Sequence, residues 1–351
     1  MMLQGHFIDT LLAIEYRNPD NIAYSTWLYF RGITGPVFFT ISGLIFTYLL
    51  IKAKEEGTLS MRIRKGLVRG LMLIGIGYVL RIPIFRWLTG NFGTYFMVID
   101  VLQCIGLSLI LIVCIYLLAR KKTLIFSVVM LCLGTLIFLC EPLYRTYSAE
   151  GIPLFFANYL TKVNGSVFTI LPWFGYMAYG AFIATLFYGY LTRPKFKTGL
   201  ITGFFVTGLI LVYGSTPVFL ELAKLINWTL LTEVANFNYL FIRLGNVLVI
   251  FGLFYAFEDY LKQPVVLIIG QKTLSIYVIH FILLYGSFTG LGLNQILGKV
   301  LTPFEVVFGA ICFLVTVSLI SIYIIKANTH IYKYITYKLH NLKTVIKSLN
   351  N

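Results

Sequence analysis

Residues 95–118 read YFMVIDVLQCIGLSLILIVCIYLL and contain a single charged side chain, Asp100. At 1.5 Å per residue this stretch forms a helix of about 36 Å, whereas the hydrocarbon core of a bilayer is about 30 Å thick. It is too continuous for the alternating strands of an outer-membrane barrel. We therefore expect it to cross a membrane as an α-helix.

Eight further windows have the same apolar character and length, and each predicts a spanning helix. They cover residues 32–51, 67–85, 123–140, 167–191, 198–214, 239–257, 264–287 and 304–325. Only 12% of the 351 residues are charged, which excludes a soluble globular protein, where about 25% is usual. With a first, shorter helix, the sequence predicts an all-α, polytopic transmembrane helical bundle of about ten spans.

The first apolar run, residues 1–14, is shorter than the others and reaches only about 21 Å as a helix. We expect a truncated first helix that begins upstream of Met1, or a short helix in one leaflet. A signal peptide is the alternative. The run lacks a basic n-region and a small-residue cleavage site, and it contains His6 and Asp9.

The charge distribution predicts the orientation, because cytoplasmic loops are enriched in Lys and Arg. If the first helix starts inside, the cytoplasmic segments hold 18 basic and four acidic residues, and the outer segments hold seven of each. Both termini are then cytoplasmic, in a multi-pass protein of the inner (plasma) membrane. No polar stretch is long enough for a nucleic-acid-binding domain. Residues 1–326 form the predicted membrane domain, and 327–351 a basic amphipathic cytoplasmic tail, either on the membrane lipids or solvated.

Small and sulfur-containing residues give two minor predictions. The pairs Gly66/Gly70 and Gly199/Gly203 are expected at close helix contacts. The five cysteines show no CxxC or His/Cys spacing, so we expect inert thiols and no metal site.

The few polar residues inside the apolar windows indicate where a functional site can lie. A charged side chain in hydrocarbon costs about 2.5 to 3.5 kcal/mol, so each should face a partner or a watery cavity. On the predicted topology, seven of nine share the outer depth, which predicts one polar pocket open to the outside. Those seven are His6, Asp9, Arg81, Asp100, Gln103, Arg243 and His280, and the inner two are Gln271 and Lys272.

His6 and Asp9 lie three residues apart and share one helix face, where the carboxylate can fix the imidazole tautomer. His6 oriented in this way can act as general base or nucleophile. His280 is a second candidate. For each histidine the alternative is a packing role within the bundle.

Arginine offers a bidentate fork for phosphate or carboxylate, so Arg31, Arg81 and Arg243 are candidate substrate-binding residues. Arg31 can equally be a snorkelling anchor at the membrane boundary. We expect Asp100 to pair with one of these arginines, and whether that pair is structural or catalytic stays open. Lys272 either snorkels or meets a phosphorylated donor.

Several segments resemble a known family in order along most of the chain. They read QGHFID at 4–9, YFRGITGP at 29–36, FFTISG at 38–43, DVLQCIG at 100–106, LPWFG at 171–175 with Gly180, and SIYVIH at 275–280. These segments resemble the heparan-α-glucosaminide N-acetyltransferase-like membrane acyltransferases, relatives of the enzymes that O-acylate cell-envelope sugars. The Ile-Asp-x-Leu-Arg-Gly opening usual in such proteins is missing here, consistent with a truncated first helix.

The resemblance implies that His6 is catalytic and that an acetyl or other acyl group arrives from acyl-CoA on the cytoplasmic side. A sugar or glycan acceptor would approach from outside. Arg81, Gln103 or Arg243 can stabilise the oxyanion, and Arg64, Lys65 and Lys272 can attract the phosphates of coenzyme A. The acceptor, the acyl group and the oligomeric state are not specified by the sequence.

A transporter or flippase for an anionic or glycan/lipid substrate is the alternative, with intramembrane Asp and Arg carrying the substrate or protons. The sequence argues against it, because it shows no inverted repeat and predicts no broken helix pair.

Overall fold

The computed structural model describes residues 1–323, and these residues form helices joined by turns and short loops. The α-helices are α1 Met2–Leu11, α2 Ile22–Glu55, α3 Leu59–Val79, α4 Ile84–Leu88, α5 Val101–Leu118, α6 Thr123–Leu139, α7 Glu141–Arg145, α8 Leu154–Leu160, α9 Ile170–Tyr190, α10 Phe196–Leu209, α11 Ser215–Ile226, α12 Thr229–Asn236, α13 Tyr239–Ala256, α14 Glu258–Leu261, α15 Pro264–Gln271, α16 Thr273–Tyr285, α17 Leu293–Leu297 and α18 Pro303–Tyr323. Within residues 1–323 no strand forms, and one isolated β-bridge joins Leu12 and Leu301. The predicted all-α helical bundle is confirmed.

The chain divides into two compact units. Residues 21–258 form the central unit, and residues 1–20 with 259–323 form the terminal unit. Both boundaries fall inside the predicted membrane domain. The predicted amphipathic tail, 327–351, lies outside the described residues.

Within residues 1–323, six helical segments are long and apolar enough to cross a bilayer, and a seventh arises if α15 and α16 form one bent span. The six are Ile22–Glu55, Thr94–Leu118, Ile170–Tyr190, Phe196–Ile226, Tyr239–Ala256 and Pro303–Tyr323. The chain is thus a multi-pass membrane protein, but the predicted number of about ten spans is not confirmed. Helix α6 is apolar but has only 17 residues, α1 has ten, and α3 carries four basic residues in its first half.

Helix α2 shows how the sequence sets a helix's ends. The Asn21 side chain caps its start by accepting hydrogen bonds from the backbone N–H groups of Ala23 and Tyr24, at 2.9 and 3.2 Å. Lys52 and Lys54 lie in its last turn, where positive charge stabilises the carbonyl end of the helix dipole. The helix has 34 residues and begins ten residues before the apolar window that predicted it.

Helices α2 and α9 cross with their backbones in contact, because glycine occupies both crossing points. A Cβ atom at Gly43 would overlap the carbonyl of Met177 on α9. A Cβ atom at Gly180 would overlap the carbonyl of Thr40 on α2. No side chain fits at either crossing point, so the backbones of α2 and α9 lie directly against each other.

Helices α3 and α5 approach in the same way. A Cβ at Gly70 would lie 2.8 Å from the carbonyl oxygen of Gly106 on α5. One turn earlier on α3, a Cβ at Gly66 would lie 2.7 Å from the ring of Phe46 on α2. The predicted close contact of Gly66 and Gly70 is confirmed. The prediction for Gly199 and Gly203 is wrong, since no atom lies within 4 Å of a Cβ at either position.

In the terminal unit α1 packs against the C-terminal helices. The Phe7 ring lies 5.2 Å from the Phe313 ring of α18, and Gly309 on α18 leaves room for Phe7. The backbone of Leu301 bonds to Leu11 and Ala13 just beyond α1, which fixes the end of this short helix.

Candidate functional site

The terminal unit brings His6 together with two side chains of α16. The imidazole of His6 stacks on that of His280, with ring centroids 5.3 Å apart and planes 24° from parallel. His6 Nδ1 lies 3.1 Å from the hydroxyl oxygen of Tyr285. His6 is half-buried, whereas His280 is fully buried, so of the two imidazoles His6 is the one that a substrate can reach.

Tyr285 is held where α16 ends. The helix stops at Gly286, whose φ of +69° belongs to the left-handed region that glycine adopts without strain. The chain then folds back so tightly that a Cβ at Gly286 would lie 2.5 Å from the backbone nitrogen of Gly292. The Gln295 amide also donates to the Tyr285 carbonyl at 3.3 Å. Sequence reasoning missed Tyr285, because its contact with His6 spans 279 residues.

Asp9, the predicted partner of His6, is half-buried one turn further along α1. Its backbone carbonyl accepts a hydrogen bond at 2.8 Å from the Arg17 guanidinium, which also donates to the Leu12 carbonyl. Arg17 therefore caps the C-terminal end of α1. His6 Nδ1 lies beside the hydroxyl of Tyr285, and the role of Asp9 in orienting the imidazole stays a prediction.

In the central unit Asp100 pairs with Arg81. Asp100 Oδ2 lies 2.7 Å from Arg81 Nη2, and the two side chains are 15% and 6% exposed. The Arg81 guanidinium also lies 5.1 Å from the centre of the Tyr95 ring. Arg81 follows the end of α3 at Val79, because the nearby Ile-Pro sequence at 82–83 disfavours further helix.

Asp100 and Gln103 also form a capping box at the start of α5. The Asp100 carboxylate accepts from the Val101 N–H at 2.8 Å, and Gln103 Oε1 accepts from the Asp100 N–H at 3.2 Å. Gln103 is fully buried, and its Nε2 faces the Val98 carbonyl at 3.5 Å. The position of Gln103 thus has a structural explanation in addition to its predicted binding role.

The side chain of Arg243, on α13, contacts α2 at Gly32, the residue that follows Arg31. Its Nη2 would lie 3.2 Å from a Cβ at Gly32, so the glycine makes room for the guanidinium. Arg243 also lies 5.1 Å above the Tyr239 ring, one turn earlier on α13. Arg31 is exposed on α2 with its guanidinium 5.8 Å from the Trp27 ring centre, in the helical extension that the apolar window did not include.

The three residues proposed for the acyl donor lie on two different elements. Arg64 and Lys65 are exposed on α3 of the central unit, and Lys272 is half-buried in the terminal unit. Lys272 lies at the junction of α15 and α16, where the helix axis bends by 66°. The expectation of no broken helix pair is wrong, because a bend at Lys272 interrupts what the sequence presented as one apolar window. Among residues 1–323, no group of three or more His, Cys, Asp or Glu side chains is arranged to hold a metal ion.

Comparison with known proteins supplies one match. Residues 1–223 match a family model described as heparan-alpha-glucosaminide N-acetyltransferase, catalytic. The matched range contains α1 with His6, the Arg81–Asp100 pair and the α2–α9 contact. Comparisons with curated proteins and with solved structures gave no significant match.

Proposed function

The chain belongs to the heparan-alpha-glucosaminide N-acetyltransferase catalytic family, and from this premise we propose that it is a membrane acyltransferase using an acyl-CoA donor. The family supports acetyl transfer, a coenzyme-A-type co-substrate and a sugar or glycan acceptor in general terms. The finer proposal is that the acyl group comes from the cytoplasmic side and the acceptor, an envelope sugar, from outside.

The contact between His6 and Tyr285 is the observation that carries this proposal. A neutral imidazole keeps one proton, and its other nitrogen is basic. If Nδ1–H donates to the Tyr285 oxygen, Nε2 carries the free lone pair. In that tautomer Nε2 is the nitrogen that can take a proton or attack the acyl carbon, and the stacked His280 limits rotation of the ring.

In the proposed reaction, His6 Nε2 takes the proton from the acceptor hydroxyl or amine as that atom attacks the thioester carbon. The carbon–sulfur bond breaks, and the proton passes to the departing thiolate. Alternatively Nε2 attacks the carbon first and an acyl-imidazole forms. Asp9 is the further proposed catalytic group, one turn from His6 on α1.

The central unit supplies the proposed acceptor-binding groups. Arg31, Arg81 and Arg243 offer guanidinium donors, and the Asp100 carboxylate holds Arg81 in place. Gln103 supports the same segment through its capping contact with Asp100, and in the terminal unit His280 supports His6. We propose that Arg64, Lys65 and Lys272 face the cytoplasm and attract the phosphates of coenzyme A.

A His6→Ala substitution in the full chain tests the proposal. Membranes are incubated with carbon-14-labelled acetyl-CoA and glucosamine, and transfer to glucosamine and to membrane glycans is measured. We expect at least a hundredfold loss of transfer, because general acid–base catalysis contributes about 10²–10⁴. His340→Ala is the matched control, because the proposed reaction assigns no role to that histidine.

The position of the label separates the two mechanisms. Label that accumulates on the wild-type protein and not on His6→Ala supports the acyl-imidazole, and label on the acceptor alone supports general base catalysis. Transfer by His6→Ala at the wild-type rate overturns the proposed role of His6.

A transporter or flippase is the second candidate, and the bend at Lys272 favours it. Discontinuous helices with a charged residue at the break are typical of substrate and ion sites in secondary transporters. Movement of a labelled glycan across vesicles without any acyl donor supports this candidate, whereas flux that depends on acetyl-CoA supports the acyltransferase.

A further inference from the structure

A small polar cavity in the central unit is lined by residues to which the proposed reaction assigns no role. It has a volume of about 70 Å³ and lies between α7, the loop after α8, and the first turns of α9 and α13. Since a water molecule occupies about 30 Å³ in the liquid, the cavity has room for one small substituent. Its walls include Glu141, Arg145, Lys162, Thr169 and Tyr239.

Two of the charged side chains that line this cavity, Glu141 and Arg145, neutralise each other. The buried carboxylate of Glu141 binds the Arg145 guanidinium through both oxygens, with contacts of 2.6 to 3.1 Å. The Tyr239 hydroxyl adds a hydrogen bond to the same carboxylate at 3.3 Å. Arg145 is fixed further by the Phe237 ring, whose centre lies 4.4 Å from the guanidinium carbon. Glu141 and Arg145 therefore leave little net charge at the cavity.

Two cations remain beside it. Lys162 lines the cavity, and the Arg243 guanidinium lies 5.1 Å from the centre of the Tyr239 ring, which also lines it. Within the described part of the chain, no carboxylate lies within 4.0 Å of either. Burial and the charge of Arg243 both lower the pKa of Lys162, with Glu141 opposing them. The cavity thus has an excess of positive charge that an anion would relieve.

We propose that this cavity binds an oxyanion substituent, a carboxylate or a phosphate, of the sugar acceptor. Lys162 supplies the ammonium that binds the oxyanion, and Arg243 adds favourable potential. The hydroxyl groups of Tyr239 and Thr169 already donate to the Glu141 carboxylate and the Leu171 carbonyl, so the charge-assisted bond comes from Lys162. The Glu141–Arg145 pair shapes the wall and prevents a free carboxylate from repelling the ligand. The site selects acidic sugars over neutral ones. The statement that the oxyanion belongs to the sugar acceptor rests on the proposed acyltransferase function. Binding of an oxyanion in the cavity does not depend on that function.

Three monosaccharides of similar shape test this site on the purified full chain. Glucose is neutral, glucuronate carries a carboxylate at C6, and glucose 6-phosphate carries a phosphate there. Dissociation constants are measured by saturation-transfer NMR. We expect one or both acidic sugars to bind wild type at least about tenfold more tightly than glucose, as one added charge-assisted hydrogen bond would give.

Lys162→Gln should remove this preference for acidic sugars, and Lys162→Arg should retain it. Lys224→Gln is the matched control, because Lys224 is an exposed lysine that pairs with Glu221 on α11. Preference for the carboxylate or for the phosphate identifies the substituent. Equal binding of all three sugars to wild type overturns the inference, as does a preference that persists in Lys162→Gln. If the protein transfers no acyl group but still binds acidic sugars more tightly in a way that depends on Lys162, only the proposed acyltransferase function is refuted.

Discussion

Replacing Asp100 should reveal two separable contributions to stability. Asp100→Asn keeps a good N-cap for α5 but removes the negative charge opposite Arg81, whose side chain is only 6% exposed. Breaking a buried ion pair from one side costs about 3 to 5 kcal/mol, since the remaining charge stays buried. Asp100 is 15% exposed, so the lower end of this range, about 3 kcal/mol, is expected. Asp100→Ala also loses the cap and should cost about 1 kcal/mol more.

The assay is equilibrium unfolding of the purified full chain in mild detergent, followed by tryptophan fluorescence. The double variant Arg81→Met/Asp100→Asn is the control. It removes both charges and should be more stable than the Asp100→Asn single variant. An Asp100→Asn protein within about 0.5 kcal/mol of wild type would refute the reasoning that the buried charge needs its partner.

Three further predictions concern other parts of the molecule. Gly180→Ala should destabilise the fold by about 1–3 kcal/mol, because its methyl group overlaps a carbonyl of α2, whereas Gly189→Ala has open space and should be neutral in the same unfolding assay. Burial and the charge of Arg243 lower the pKa of Lys162 below 10.5, so between that lowered pKa and 10.5 the unfolded chain binds more protons at this residue than the folded chain. Lys162 therefore makes the unfolding free energy rise with pH in this range, and Lys162→Met should reduce the rise in unfolding curves measured from pH 7 to 10.5. Tyr285→Phe should lower kcat for acetyl transfer about tenfold or more with little change in KM, and an unchanged kcat would contradict its role in fixing the imidazole.

Apolar length was sufficient to predict where helices form, and less informative about where they end. Every predicted window overlaps a helix in the structure, because a continuous apolar run can satisfy its backbone in a membrane only as helix. Helix α3 begins at Leu59, eight residues before its predicted window, and the added segment contains three basic residues that a search for apolar windows rejects. The bend at Lys272 was missed for the opposite reason, since Gly270, Gln271 and Lys272 are too few to lower the mean hydropathy of the window.

The candidate site was predictable where its residues are close in sequence. The spacing of Asp100 and Gln103 is that of a capping box, a local pattern that is present in the sequence but was not used to predict the start of α5. The pairing of Asp100 with an arginine followed from the cost of an isolated charge. The contact of His6 with Tyr285 was not predictable, because tyrosine is common in this chain and no local pattern marks one that meets a distant histidine.

The glycine contacts between α2 and α9 also restrict how the central unit can move. Each helix presents a backbone carbonyl at the point where the other has glycine, so neither can slide along its axis without driving a carbonyl into a neighbouring side chain. We therefore expect α2 and α9 to keep this contact in every state of the protein, so that any movement within the central unit carries the two helices together.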